Sequence, residues 1–284
     1  MRVAILGLGI IGEVWARNLL ADGIAVAPWN RSAKPIPGFV ADAREAAREA
    51  DVVIVVVADP PAVDGVLAQI EPVLRAGQVV VQSSTISPEW TKRFAARVAG
   101  RGAAYLDAPF TGSKLAAIAR ETVYYVGGEA AVLERVRPVL ARLSKAIVHA
   151  GAIGDASSVK LAMNINIALV GAALAESLSF ARAAGVSDDM FFAALKLNAS
   201  RSGVSDLKEP KLRAGDFAPQ FSLKHMDKDL RLALETVGES GLPALRRVKA
   251  VYDQGMEAGW GDQDFSCLVR LVGAQASGAP AAHG

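Results

Sequence analysis

The chain has 284 residues, 52% hydrophobic and 21% charged, an ordinary globular composition with length for about two domains. Its formal net charge is only +2, with no run of like charge, so neither a nucleic-acid surface nor an anionic-membrane surface is expected. The single cysteine, Cys267, excludes a disulfide framework, and the scattered His149, His225 and His283 give no zinc-like cluster, so no metal is expected. The first residues run directly into an apolar strand-like segment without signal-peptide architecture. The longest nearly apolar stretch, Leu161–Ala175, is short for a membrane span and contains Asn164 and Asn166. A soluble, cytoplasmic protein is expected.

The first half alternates β-branched runs with alanine-rich amphipathic stretches. Strands are predicted at Val3–Leu6, Ile24–Trp29, Val52–Val57, Val79–Gln82, Ala104–Leu106, Thr122–Val126 and Ala146–His149. Helical periodicity fills most of the gaps, as at Glu13–Leu20, Ala62–Leu74, Glu89–Val98 and Ala130–Leu143. This alternation implies parallel βαβ units, and the unbroken run Val52-Val-Ile-Val-Val-Val57 suits a strand covered by helices on both faces.

Near Gly151 the pattern becomes almost wholly helical. Asp155 is a candidate N-cap for a long helix ending near Ala184, with Gly185 as its stop. That helix is apolar nearly all round, which marks a core or an interface. Further helices are predicted at Asp188–Leu197, Lys224–Glu239, Pro243–Ala258 and Asp264–Val272. The expected plan is α/β: a Rossmann-type doubly wound parallel sheet over residues 1–153, an all-α domain with a long central helix over 154–275, and a disordered tail over 276–284.

Gly7-Leu8-Gly9-Ile10-Ile11-Gly12 follows the first strand and opens the first helix, the context in which Gly-x-Gly-x-x-Gly binds a dinucleotide. Gly7 permits the tight turn, Gly9 admits the pyrophosphate to the backbone, and Gly12 lets helix pack on strand. The amides at the helix N-terminus then hold the phosphates. The second strand ends at Trp29-Asn30-Arg31-Ser32, where NAD-binding chains usually place a carboxylate for the ribose hydroxyls. Asn30 would not repel a 2′-phosphate, and Arg31 and Ser32 can bind one through charge-assisted hydrogen bonds. NADP(H) is therefore preferred over NAD(H), unless Arg31 is simply a solvated loop residue. Val57 and Ala58, at the end of the third predicted strand, complete the expected cofactor contacts.

Four more segments carry chemistry: Ser84-Thr85-Ile86-Ser87-Pro88, Asp107-Ala-Pro-Phe110-Thr111-Gly112-Ser113-Lys114, Gly154-Asp-Ala-Ser-Ser-Val-Lys160-Leu-Ala-Met-Asn164 and Met226-Asp-Lys228-Asp229-Leu-Arg-Leu-Ala233. With the glycine turn, and in this order over nearly the whole chain, they resemble the β-hydroxyacid dehydrogenase family. That family includes 3-hydroxyisobutyrate dehydrogenase, tartronate semialdehyde reductase and the glyoxylate/succinic semialdehyde reductases. The resemblance implies a Rossmann domain and an all-α domain joined by a long helix, with Lys160 catalytic and Asn164 beside it. It implies a nicotinamide-side contact for Thr85, substrate-carboxylate binding by Thr111, Gly112 and Ser113, and a place for Lys228 lining the cofactor–substrate cleft.

The residue chemistry agrees. Lys160 and Asn164, four apart, project from one face of a helix otherwise apolar, where an unpaired amine would be costly. A desolvated lysine releases its proton nearer neutrality and can protonate the alkoxide formed as hydride reaches a carbonyl carbon. Alternatively, Lys160 snorkels to water at the helix end. The turn of Thr111, Gly112 and Ser113 offers amides and hydroxyls to a carboxylate, or is an ordinary surface turn. Lys228 with Asp229 could equally be an exposed ion pair.

The chain departs from the family's usual Asp-Ala-Pro-Val-Ser-Gly-Gly at Phe110, Thr111 and Ser113. The Gly112-Ser113-Lys114 run resembles the glyoxylate/succinic semialdehyde reductase branch, but Leu115-Ala-Ala-Ile-Ala-Arg-Glu121 does not continue it. A small carboxylate-bearing carbonyl or hydroxy acid is the expected substrate. The alternatives are an NADPH-dependent imine reductase, in which Asp or Tyr usually replaces this lysine, and a non-catalytic dinucleotide-binding protein. The apolar long helix predicts a homodimer or homotetramer formed through the helical domain.

Overall fold

The computed structural model describes residues 1–238 and 241–277. The chain forms two units, dividing between Leu161 and Ala162. The first contains β1 (Arg2–Leu6), α1 (Ile10–Ala21), β2 (Ala25–Trp29), α2 (Ala43–Arg48), β3 (Val52–Val55), α3 (Pro60–Ile70), β4 (Val79–Gln82), α4 (Pro88–Ala99) and β5 (Ala104–Asp107). It continues through β6 (Phe110–Thr111), α5 (Lys114–Ile118), β7 (Thr122–Gly127), α6 (Ala130–Leu140), β8 (Ser144–Gly151) and the first turns of α7 (Asp155–Ala183).

These strands make one eight-stranded sheet in the order β2-β1-β3-β4-β5-β7-β6, with β8 also paired to β7. Strands β1 to β5 are mutually parallel, and β8 is parallel to β7. The sheet is not parallel throughout. Asp107 pairs with Gly127 and Phe110 with Tyr124 in one antiparallel register, so β6 prolongs β5 and the chain folds back through α5 onto β7.

Alternate residues of the central strands serve opposite faces. Val53, Val55 and Val80 pack under α2, α3 and α4 with Ala46, Leu67 and Phe94. Val52, Ile54, Val79 and Val81 face α1 and α6 with Trp15, Leu19, Val136 and Leu140. Both faces being covered explains the unbroken valine run of β3, since each such side chain gains about 1.5–3 kcal/mol from burial.

The second unit holds the rest of α7, then α8 (Asp188–Leu197), α9 (Gly203–Ala214), α10 (Leu223–Val237), α11 (Pro243–Glu257), a 3-10 turn at Phe265–Leu268 and α12 (Val269–Ser277). Leu174, Ala175 and Leu178 of α7 pack with Phe192, Leu212 and Val269. At 29 residues α7 is long and apolar enough to cross a membrane by length and composition, more so than Leu161–Ala175 alone suggests. In its unit one stripe of it is buried, while Met163 and Phe180 are exposed.

Three sequence expectations change. Asp155 does not cap α7: it is the first helical residue, and its carboxylate accepts from the Ala152 amide behind it at 2.7 Å. Helix α9 is absent from the sequence reading because Pro210 interrupts the pattern; a reciprocal Ser202–Ser205 capping box starts the helix regardless. Helix α12 extends to Ser277, two residues into the expected tail, and the rest of that tail lies outside the described residues, as does Glu239, the expected end of α10. Gly185, at φ +80°, does stop α7, and the Val186 amide reaches back to the Ala181 carbonyl at 2.9 Å.

A buried ion pair also joins α9 to the 3-10 turn. Lys208 Nζ lies 2.9 Å from Asp264, with both side chains almost fully enclosed, and Asp264 accepts further bonds from the Gln220 amide and the Ser266 hydroxyl. Burial alone would raise the Asp264 carboxyl, yet these bonds hold it below the usual carboxylate range.

Candidate active site

The C-terminal ends of the parallel strands gather the expected cofactor residues along one edge of the first unit, where open α/β sheets bind ligands. The three glycines do different work. Gly7 has φ +111°, and a β-carbon there would strike the Val56 carbonyl oxygen. One on Gly12 would strike the Gly7 carbonyl, so these two glycines are required by packing alone. Gly9 has nothing within 4 Å of where its β-carbon would lie. It also starts α1 without any side-chain cap, leaving the first-turn amides open to an anion. Ile10 is exposed, Ile11 half-buried, and Leu8 turns into the core.

Asn30 ties this loop to the end of β2. Its Oδ1 accepts the Leu8 amide at 3.0 Å, while its Nδ2 donates to the Ser32 carbonyl at 2.9 Å. Arg31 and Ser32 are exposed beside it. At the next strand end, the Val57 amide donates to Ser84 Oγ at 2.8 Å; Ala58 is exposed and Thr85 half-buried. These residues fit a dinucleotide, with an uncapped helix for the pyrophosphate and a cationic turn for the adenosine end.

The expected substrate turn follows β5. Gly112, at φ +134°, could not carry a side chain because a β-carbon would lie 2.9 Å from Thr122 Cγ2. The Ser113 hydroxyl accepts the Ala116 amide and so caps α5. Thr111 is half-buried and pairs with Val123 in the hairpin. Phe110 directs its bulk inward, its ring centroid 4.6 Å from that of Trp15 on α1 and 6.2 Å from that of Tyr124.

At the start of α7 the cap missing from Asp155 comes from β5. Asp107, wholly buried, accepts the Gly154 amide at 3.1 Å, the Ser157 amide at 2.9 Å and the Ser157 hydroxyl at 2.7 Å. Burial raises the Asp107 carboxyl above its usual range, with these three bonds opposing it. Lys160 follows Ser157 by one turn and is only 7% exposed.

In the second unit, Asn164 and Lys228 converge on Asp229. Asn164 Nδ2 donates to Asp229 Oδ2 at 2.5 Å, and Lys228 Nζ lies 2.9 Å from Asp229 Oδ1. The Asp229 side chain is 2% exposed and that of Lys228 13%, so this is an enclosed pair. Asp229 was not foreseen as a site residue. Its signal lay in the helical spacing: Met226, Asp229, Leu230 and Ala233 share the buried stripe of α10, where a carboxylate needs a partner. Asp107 was missed likewise, because its partners lie some 50 residues along the chain.

Known proteins converge on one family. Residues 2–151 match the family model described as the NAD binding domain of 6-phosphogluconate dehydrogenase, and residues 154–272 match the NAD-binding model of NADP-dependent 3-hydroxyisobutyrate dehydrogenase. The chain is 32% identical to the 2-hydroxy-3-oxopropionate reductase of Escherichia coli (strain K12), over 96% of its own length and 97% of the relative's. It is 28% identical to glyoxylate/succinic semialdehyde reductase 1 of Arabidopsis thaliana, over 96% and 98%. A solved structure of Mycobacterium tuberculosis 3-hydroxyisobutyrate dehydrogenase with L-serine superposes with a TM-score of 0.85 at 27% identity, covering 95% of this chain and 98% of that one. The glycine turn, the buried lysine and these likenesses agree: the chain belongs to the β-hydroxyacid dehydrogenase family of NAD(P)-binding oxidoreductases.

Proposed function

We propose that the protein is a soluble, cytoplasmic, NADP(H)-dependent oxidoreductase that interconverts a small hydroxy acid with its aldehyde or keto acid. The substrate class is that of succinic semialdehyde, glyoxylate or 3-hydroxyisobutyrate, in keeping with the names of its relatives. The observation that carries this reading is Lys160: a buried lysine on α7, one turn beyond the anchor that ties that helix to β5. The bound cofactor supplies or accepts the hydride. Lys160 gives its proton to the carbonyl oxygen during reduction and withdraws one from the hydroxyl in the reverse direction. Asn164 orients the reacting oxygen or the amine, held in turn by Asp229. Thr111, Gly112 and Ser113 receive the substrate carboxylate through backbone amides and hydroxyls. Thr85 contacts the nicotinamide side, and Lys228 lies along the cofactor–substrate path.

The direct test is a panel of short semialdehydes, keto acids and hydroxy acids, each run with NADPH or NADH and their oxidised forms. Turnover of a carboxylate-bearing carbonyl with NADPH supports the proposal; turnover of cyclic imines alone, or of nothing, removes it.

The NADP preference rests on Arg31 and Ser32, exposed beside a neutral Asn30. Arg31→Ala is expected to raise KM for NADPH by about tenfold or more, the scale of a lost charge-assisted bond, and to change KM for NADH by less than about twofold. Equal losses for both cofactors would show that Arg31 does not read the 2′-phosphate.

We also propose assembly into a homodimer or homotetramer through the helical unit. Phe180, Met190 and Leu197 are 75%, 62% and 92% exposed, a large apolar surface for one unit to leave in water. Light scattering is expected to give at least twice the chain mass of 29.6 kDa; a single-chain mass would refute the assembly.

A further inference from the structure

We propose that Asp107 is a positioning residue, the buried carboxylate that holds the Lys160-bearing start of α7 in place against the strand leading into the 111–113 turn. Two segments diverge from it. Along the chain, Asp107 ends β5 and leads through Ala108, Pro109 and Phe110 into the turn proposed to take the substrate carboxylate. Through space, its oxygens collect the amides of Gly154 and Ser157 and the hydroxyl of Ser157. Ser157 precedes Lys160 by three residues, so both lie on adjacent turns of one rigid helix. The proton donor and the carboxylate turn are thus referred to a single fixed point.

The surroundings leave Asp107 little freedom. It is fully buried and pairs with Gln82 on one side and Gly127 on the other in the sheet register. Beside it, the buried hydroxyls of Thr91 and Tyr105 share a 2.9 Å bond. A carboxylate suits this place because it offers several acceptor sites to donors and meets the positive end of a helix dipole. No residue at the helix start replaces it, since Asp155 caps backwards onto Ala152. Gly154 has φ +101°, a conformation that L side chains rarely adopt, so the chain entering α7 depends on glycine here. A displacement of about 1 Å at a reacting group can cost on the order of 100-fold in rate, so a tether one turn away from the amine bears directly on turnover.

The inference rests on the proposed role of Lys160, and the test separates the two. Asp107→Ala, Asp107→Asn, Ser157→Ala and Lys160→Ala would be made singly, and Asp107→Ala and Ser157→Ala would also be combined with Lys160→Ala. The substrate is whichever of succinic semialdehyde, glyoxylate and 3-hydroxyisobutyrate the wild type turns over fastest. Asp107→Ala is expected to lower kcat about 10- to 100-fold with KM for NADPH changed less than about threefold. Asp107→Asn is expected to restore most of kcat, because its amide oxygen still accepts the two backbone bonds and the Ser157 hydroxyl can reverse. In the Lys160→Ala background, Asp107→Ala is expected to cost no more than about twofold, since a misplaced amine cannot matter once the amine is gone. Should Asp107→Ala not fold, Ser157→Ala carries the same comparison, with a loss of about threefold or more that vanishes in the Lys160→Ala background. Equal losses in both backgrounds, or an undiminished kcat in Asp107→Ala, would overturn the positioning role. Near-normal turnover by Lys160→Ala would instead overturn the reading of Lys160 on which it depends.

Discussion

Lys160→Ala is expected to lose at least about 100-fold in turnover while still binding NADPH, the scale on which a general acid or base contributes. The separation follows from where the parts lie. The glycine turn, the β2 end and the first-turn amides of α1 are built entirely from residues 7–12 and 30–32. No side chain of α7 takes part in the hydrogen bonds that brace them. Lys160, by contrast, is a buried residue on a helix whose start is tied to β5. A group buried at a desolvation cost and then removed should show its effect in the step where a proton moves. Titrating NADPH by its fluorescence checks the first half of the expectation, and steady-state kinetics the second. Turnover close to that of the wild type would take Lys160 out of the reaction.

The second large effect concerns the glycine turn, where two alanine substitutions should fail in opposite ways. In Gly12→Ala the new β-carbon meets the Gly7 carbonyl and lies 2.9 Å from Val56 Cγ1, so α1 must move off the sheet. Overpacking of this kind costs about 1–3 kcal/mol, and a fall of roughly 2–12 °C in melting temperature is expected. In Gly9→Ala nothing lies within 4 Å of the new methyl, and φ −73° suits alanine, so the melting temperature should stay within about 2 °C of the wild type. The methyl would instead occupy the space through which a pyrophosphate reaches the backbone, and NADPH affinity should fall at least about tenfold, or about 1.4 kcal/mol. Thermal unfolding of both variants without cofactor, followed by NADPH titration, decides the matter. A destabilised Gly9→Ala with normal affinity would mean that the open space serves the fold and not the ligand.

Much of this could be read before any coordinates, for physical reasons that also mark where the reading stops. Strand β3 announced itself because a strand covered on both faces needs an unbroken apolar run. Helix α7 was legible because twenty-nine residues pass with only Gly171 to weaken the pattern. The antiparallel turn at β5–β7 was hidden, since direction depends on how a two-residue strand pairs and two residues carry no periodicity. Helix α9 was masked by Pro210, whose cost the surrounding packing absorbs. The site shows the same division. Residues that act through local backbone geometry, such as Gly7, Gly9 and Gly12, are written in their spacing. Asp107 and Asp229 act through partners 50 and 65 residues away, and nothing in their own neighbourhoods names those partners.

Asn30 has a bearing on any attempt to switch the coenzyme. One side chain fastens both the glycine loop of residues 7–12 and the bend that carries Arg31, accepting from Leu8 and donating to Ser32. Installing the aspartate typical of NAD users would keep the acceptor and forfeit the donor, releasing the bend just as it gained a charge. Under the proposed reading of Arg31, selectivity and loop rigidity are inherited together, and a redesign of one must supply a new brace for the other.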